Sequence, residues 1–328
     1  MKAKFVAAVV VLSFVASSTA SSVKSIPVGN LPTFIAENEK TNRVYVSNLT
    51  DNTVSVIDGA TDTVIATIPV GFLPEMIGVN STTNTIYVAN LLDNSVSVID
   101  GDTNKVTATI TGLSSPFGVA VNALTNQIFV SNNGNNTVSV IDGATNTILT
   151  KVTVENTPLG VRVNSATNLV YVANELSATV SVIDGKSDSV VNTFTLPQGA
   201  RPTYIGMDPT TNRLFVVSSF NTSVYVLDAS TGNLLHTITG GKISFKSPDI
   251  AAMFHPGKTV LVSDSSLNAV MEFSETTYTA IGGLKGGNKP FGIAVNRKTG
   301  KTYVTENGSN SVNVYNSNAK STTRRPQK

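Results

Sequence analysis

Any chemistry in this chain has to rest on carboxylates, guanidinium groups and amides. Its 328 residues include no cysteine, no tryptophan and two histidines, His236 and His255. That excludes thiolate nucleophiles, Cys-ligated zinc or iron–sulfur sites and a disulfide framework, and leaves too few imidazoles for a His-rich metal site or relay. Two charged residues stand out because each breaks a column. Four residues after seven regularly placed prolines come Ala36, Gly78, Ala120, Arg162, Gly206, Ala252 and Ala294; five residues after come Glu37, Val79, Val121, Val163, Met207, Met253 and Val295. A charge in an otherwise tiny or apolar column must be solvated, paired or engaged with a ligand. Arg162 has the chemistry to reach a bound anion, and Glu37 is its natural counter-charge.

A second set of charges accompanies the same prolines. Glu75, Arg201, Asp249 and Lys289 stand beside them, and Asp264 and Glu306 replace the Asn48, Asn90, Asn132 and Asn174 of other repeats. Three tempting motifs carry no site. Asp100-Gly101-Asp102-Thr103-Asn104 imitates the start of a calcium loop, but the equivalent Asp58-Gly59 and Asp142-Gly143 turns lack the spaced carboxylates and no closing glutamate follows. Gly282 to Gly287 is glycine-rich but has neither a Gly-Lys-Ser/Thr nor a following helix pattern. The Asn-x-Ser/Thr sequons at Asn48, Asn80, Asn135, Asn221 and Asn307 are no more frequent than this composition gives by chance.

The elements that must position these residues are written in a repeat. Tyr45-Val46-Ser47-Asn48 recurs at Tyr87, Phe129 and Tyr171, and decays into related segments at Phe215, Leu261 and Tyr303, with offsets of 42, 42, 42, 44, 46 and 42 residues. Pro32, Pro74, Pro116, Pro158, Pro202, Pro248 and Pro290 precede them, and segments such as Val54-Ser55-Val56-Ile57-Asp58 follow. A period of 40 to 45 residues built from short alternating strands predicts propeller blades of four antiparallel strands. In the second repeat the strands are expected at Met76–Val79, Thr85–Ala89, Ser95–Ile99 and Lys105–Ile110, separated by Asn-, Asp-, Gly- and Ser-rich turns. The last repeat supplies only three strands. Its outer strand is expected from the other end of the chain, because Ile26-Pro27-Val28-Gly29 duplicates Ile68-Pro69-Val70-Gly71. The fold read from the sequence is therefore all-β, a seven-bladed β-propeller whose last blade is completed by the N-terminal strand.

The Tyr-Val-x-Asn core, Val-Ser-Val-Ile-Asp segment and Ile-Pro-Val-Gly ending resemble the YVTN-type β-propeller repeat family of archaeal surface-layer and bacterial exported proteins, over roughly residues 23 to 316. The resemblance implies that the loop before each innermost strand and the loop between its second and third strands share one face. Glu75, Arg201, Asp249, Lys289, Asp264 and Glu306 would then ring one mouth of a water-filled channel, where both signs and converging amides suit a small polar ligand or a divalent cation. No cofactor is required.

Residues 1–20 read as an export signal: Lys2 and Lys4, an apolar run from Phe5 to Ala16, then Ser18-Thr19-Ala20. The propeller is expected over 21–318 and a polar basic tail over 319–328. Lys2, Lys4, Lys320, Arg324, Arg325 and Lys328 fall outside the body; setting aside these six positive charges turns the formal +2 of the chain into −4. That sign, with few loop aromatics, argues against nucleic acid. The sequence thus describes a monomeric module, secreted or associated with the cell envelope, with no membrane span in the mature chain. It would bind a protein, an envelope component or a small polar ligand through the loop face. The alternative, by analogy with lactonase- and streptogramin-lyase-type propellers, is a metal-assisted hydrolase or lyase at the channel mouth, using Asp249, Asp264 and Glu75 in place of poorly placed histidines.

Overall fold

Alternating Val, Ile and Tyr residues between Asn-rich turns form strands throughout. The computed structural model describes residues 19–22, 24–239, 248–255, 258–285 and 287–316. They fold into seven antiparallel sheets arranged as a ring, each laid down from the inside outwards. Blade 2 is typical, with strands Pro74–Asn80, Thr85–Asn90, Ser95–Asp100 and Lys105–Ile110. The inner strands of the other blades are Pro32–Asn38, Pro116–Asn122, Pro158–Asn164, Pro202–Asp208, Pro248–His255 and Pro290–Asn296. Each repeat proline is thus the first residue of an inner strand, where its missing N–H leaves no ladder bond unmade.

The ring closes as the duplicated Ile-Pro-Val-Gly predicts. Lys24–Pro27 pairs antiparallel with Ser311–Asn316, Ile26 facing Val312, and so supplies the outer strand of blade 7. Blade 6 carries a fifth strand that the repeat does not foretell: Thr19–Ser21 runs parallel to Ala280–Lys285, with Thr19 opposite Gly283. Gly282 and Gly283 of the glycine-rich run thereby lie in the fourth strand of the blade.

The core lies between blades rather than within any one of them. Tyr45, Val54, Val56 and Ile68 of blade 1 pack on Ile77, Ile86, Val88 and Ile99 of blade 2, and comparable clusters fill the other seams. Small residues in the inner column let adjacent inner strands approach: a Cβ on Gly78 would meet Val119 Cγ1 at 2.7 Å.

Amides lock the same seams on the face away from the mouth. Asn38 donates to Asn84 (2.8 Å), Asn80 to Asn126 (2.7 Å), Asn122 to Asn168 (2.5 Å) and, across the closure, Asn296 to Asn42 (2.9 Å). The receiving asparagines have φ near +55°, a left-handed conformation in which Asn is favoured over most side chains.

Deleting residues 23–28 removes Ile26, which is buried, and the strand that seals blade 7. The expected loss is about 4 kcal/mol, a fall in Tm of roughly 10 °C for a chain of this size. A truncated protein melting with its parent in a calorimetric scan would refute this closure.

Candidate functional site

The loops before the inner strands are held in a strained but fixed conformation. Leu31, Leu73, Ser115, Thr157 and Lys289 all have φ between 45° and 58°, which costs a non-glycine residue about 1–2 kcal/mol. In each case the strained N–H donates to an asparagine Oδ1 of the preceding blade: Asn310, Asn52, Asn94, Asn136 and Asn268, at 2.7 to 3.0 Å. The mouth loops of blades 1, 2, 3, 4 and 7 are therefore each braced on the preceding blade, whereas in blade 5 the Arg201 N–H donates to Ser218 of its own blade.

The six charges expected at the mouth do not act as one set. Lys289 is exposed on its braced loop. Arg201 lies 3.7 Å from Glu175 and over the ring of Phe220, 5.2 Å from its centroid. Glu75 is buried, and that burial pushes its carboxyl up to about 7. Asp264 is fully buried, with one oxygen accepting the backbone N–H groups of Ser266 and Leu267. Glu306 is buried too, accepting from the Asn288 N–H (2.7 Å) and the Asn313 amide (3.0 Å), and burial raises it to about 7. Asp249 and His255 lie on Pro248–His255, whose side chains are outside the described ones. His236 is on an outer strand, stacked on Tyr278 at 4.8 Å.

The asparagine amides do not converge on a ligand either. Asn48 donates to Thr53 and Ser55, Asn90 to Ser95 and Ser97, Asn132 to Thr137 and Ser139, and Asn174 to Thr179 and Ser181, at 2.9 to 3.1 Å. Blade 7 reverses the polarity: Glu306 accepts where Asn48 donates, and Asn313 donates where Ser55 accepts. The calcium-like Asp100 turn is likewise a hairpin cap, accepting from the N–H groups of Asp102 and Thr103.

Sequence reasoning missed the aromatic plug beneath the mouth. Phe34 of blade 1 meets Phe117 of blade 3, Tyr204 of blade 5 and Phe291 of blade 7 at centroid distances of 5.5 to 5.8 Å. Three neighbouring rings around one, drawn from alternate blades, close the axis. The signal was in the two residues after each proline: Phe117-Gly118 and Phe291-Gly292 alternate with Thr33-Phe34 and Thr203-Tyr204. Glycine follows the large residue because the next blade is too close for a Cβ, which on Gly118 would lie 2.3 Å from the Leu159 carbonyl.

Below the plug is a cavity of about 220 Å³ whose walls include Val79, Val121, Val163, Ile205 and both column-breaking charges, Glu37 and Arg162. These two come from blades three apart on the ring and feel one another's charge. Arg162 Nε donates to the Ile205 carbonyl of the next blade at 3.2 Å. Burial pushes Glu37 up to about 7; its own backbone N–H opposes that shift, Glu39 adds to it, and Arg162 and Arg297 oppose it. Among the predicted site residues whose side chains are described, Glu37 and Arg162 share one cavity.

The seam between blades 5 and 6 lacks the amide pair, since Asp208 and Lys258 stand at its two positions. Between blades 5 and 6, Asp208 and Glu275 are both buried and hydrogen-bonded to each other, which requires one of them to hold a proton. Thr211 bridges them, at 2.5 Å from Asp208 and 2.9 Å from Glu275. Burial opposes the ionisation of Asp208, but bonds from Glu275, Thr210 and Thr211 outweigh it; burial and Asp208 together raise Glu275.

No family model matches the chain, and no curated protein matches it. Among solved structures, a chain titled Kuenenia stuttgartiensis Hydrazine Synthase superposes with a TM-score of 0.79 at 17% identity, covering 88% of this chain and 96% of that one. What the two share is the fold. At that identity the likeness confirms the propeller, and the YVTN resemblance rests on the repeat motif alone.

Glu75 gives a direct test of the buried carboxylates. Its pKa in the folded protein lies above the ordinary 4.5, so the folded state holds the proton more tightly and stability falls as pH rises from about 4.5 to about 7. Glu75→Gln should stabilise the protein at pH 8 by up to about 3 kcal/mol and leave it unchanged near pH 4. Urea unfolding at the two pH values measures the difference, and an equal effect at both would contradict it.

Proposed function

We propose that this propeller is an exported binding or surface-scaffold module that meets a protein or cell-envelope component through the loop face around its axis. The observation that carries the reading is the exposure of Phe72, Leu92, Leu176 and Phe220 at 60%, 64%, 58% and 70% on that face. Equivalent loop tips in other blades carry Thr50, Gly134 and Gly308. Phe72 and Leu92 adjoin one another, the Leu92 N–H donating to the Phe72 carbonyl at 3.3 Å. Phe220 is flanked by Arg201, which bridges to Glu175 beside Leu176. Apolar tips ringed by polar groups, with Phe72 next to the braced Leu73, suit a protein surface, where aromatic and arginine anchors carry most of the binding energy. The rim is also apolar in places, as at Ile65 and Leu149, but there the residues line outer strands.

A metal-assisted hydrolase or lyase at the mouth would need carboxylates presented there. Asp264 and Glu306 instead face donors of their own blades, which favours the binding reading.

The test is fractionation of cells of the native host. The parent chain should co-sediment with the envelope, and a variant carrying Phe72→Ser, Leu92→Ser, Leu176→Ser and Phe220→Ser should be released with little change in Tm, because exposed substitutions usually shift stability by less than about 0.5 kcal/mol each. Equal retention of both proteins would refute the loop-face reading. Lactone turnover abolished by a chelator would establish the hydrolase in its place.

A further inference from the structure

We propose that the central cavity binds a small organic monocarboxylate with an apolar tail, the carboxylate held by Arg162 and the tail lying against Val79, Val121, Val163 and Ile205. This inference is independent of the loop-face reading.

Four observations carry it. First, Arg162 stands in a column whose other members are alanine or glycine, so blade packing does not call for a side chain of its length. Its Nε bond to the Ile205 carbonyl fixes the guanidinium plane at the cavity wall. A guanidinium keeps its charge even when partly buried, and it recognises carboxylates through paired N–H donors.

Second, the charge count selects a monoanion. The groups acting on Glu37 are Glu39 on its own strand's turn, Arg162 from across the cavity and Arg297 from the turn of blade 7. Burial raises Glu37 to about 7, so the protonated form predominates at pH 6. In that form Arg162 gives the cavity a single positive charge, and the Glu37 carboxyl is a hydrogen-bond donor to the same ligand. A phosphate dianion would exceed that charge and bring more acceptor sites than these walls supply.

Third, the volume of about 220 Å³ is room for several waters and so for a short carboxylate. Fourth, the aromatic plug seals the mouth end. A ligand therefore enters from the opposite face, through the ring that Glu37 shares with Val79, Val121 and Val163, and reaches Arg162 one residue deeper.

Isothermal titration of the full chain with butyrate tests this, with butylamine as the control. Butyrate should bind one-to-one at pH 6 and weaken by up to tenfold per unit as pH rises above about 7, because ionised Glu37 repels it; butylamine should not bind. Arg162→Met should weaken butyrate about ten- to a hundredfold at pH 6. Glu37→Gln should bind with no change in affinity between pH 6 and 8. Absence of butyrate binding to the parent at pH 6, undiminished binding by Arg162→Met, or a pH dependence that survives Glu37→Gln would each overturn the assignment. If Arg162→Met does not fold, the parent and Glu37→Gln titrations decide.

Discussion

The whole molecule depends on every sheet having a neighbour on both sides. A four-stranded blade of this sequence is apolar on both faces, with Val46, Val54, Val56 and Tyr45 all fully buried, so an isolated blade would leave core surface in water. Closing the ring through Lys24–Pro27 removes the last open seam. The same requirement explains the side-chain bonds that cross blades, such as the Thr305 hydroxyl of blade 7 donating to the Thr33 carbonyl of blade 1 at 2.7 Å. Packing fixes the distance between blades, and the amide contacts fix their register.

Closure also shapes the axis. Seven inner strands leave a space too wide for one side chain and too narrow for seven large ones. The chain resolves this by alternation, placing large rings after some prolines and glycine beside them, so that four aromatic residues converge and the intervening strands still touch. The plug divides the axis into a loop face above and a pocket below that opens toward the opposite face. A partner on the face and a ligand in the pocket would therefore occupy separate spaces.

Much of this was legible before any coordinates. The strands, their order and the donated outer strand follow from period, alternation and turn residues, because each is a local or a repeated feature. The charges at 37 and 162 were recognisable as exceptions because a repeat supplies its own control. The reading failed where a residue's role depends on its partner. Glu306 looks like a mouth carboxylate until Asn313 is seen to have exchanged donor and acceptor with it. Asp208 and Glu275 are 67 positions apart and have no common motif, yet they meet at one seam. The fifth strand of blade 6 escaped for a similar reason: Thr19–Ser21 has no counterpart among the other repeats.

The sequence by itself determined that this chain is a closed wheel of seven sheets, since a period of 42 residues with two buried parities has few other ways to hide its apolar surface. Only the tertiary structure decided which polar residues are free to meet another molecule. Whether a carboxylate is a cap, a seam or a cavity wall depends on which N–H groups and charges lie within a few ångströms, and those come from blades tens or hundreds of residues away.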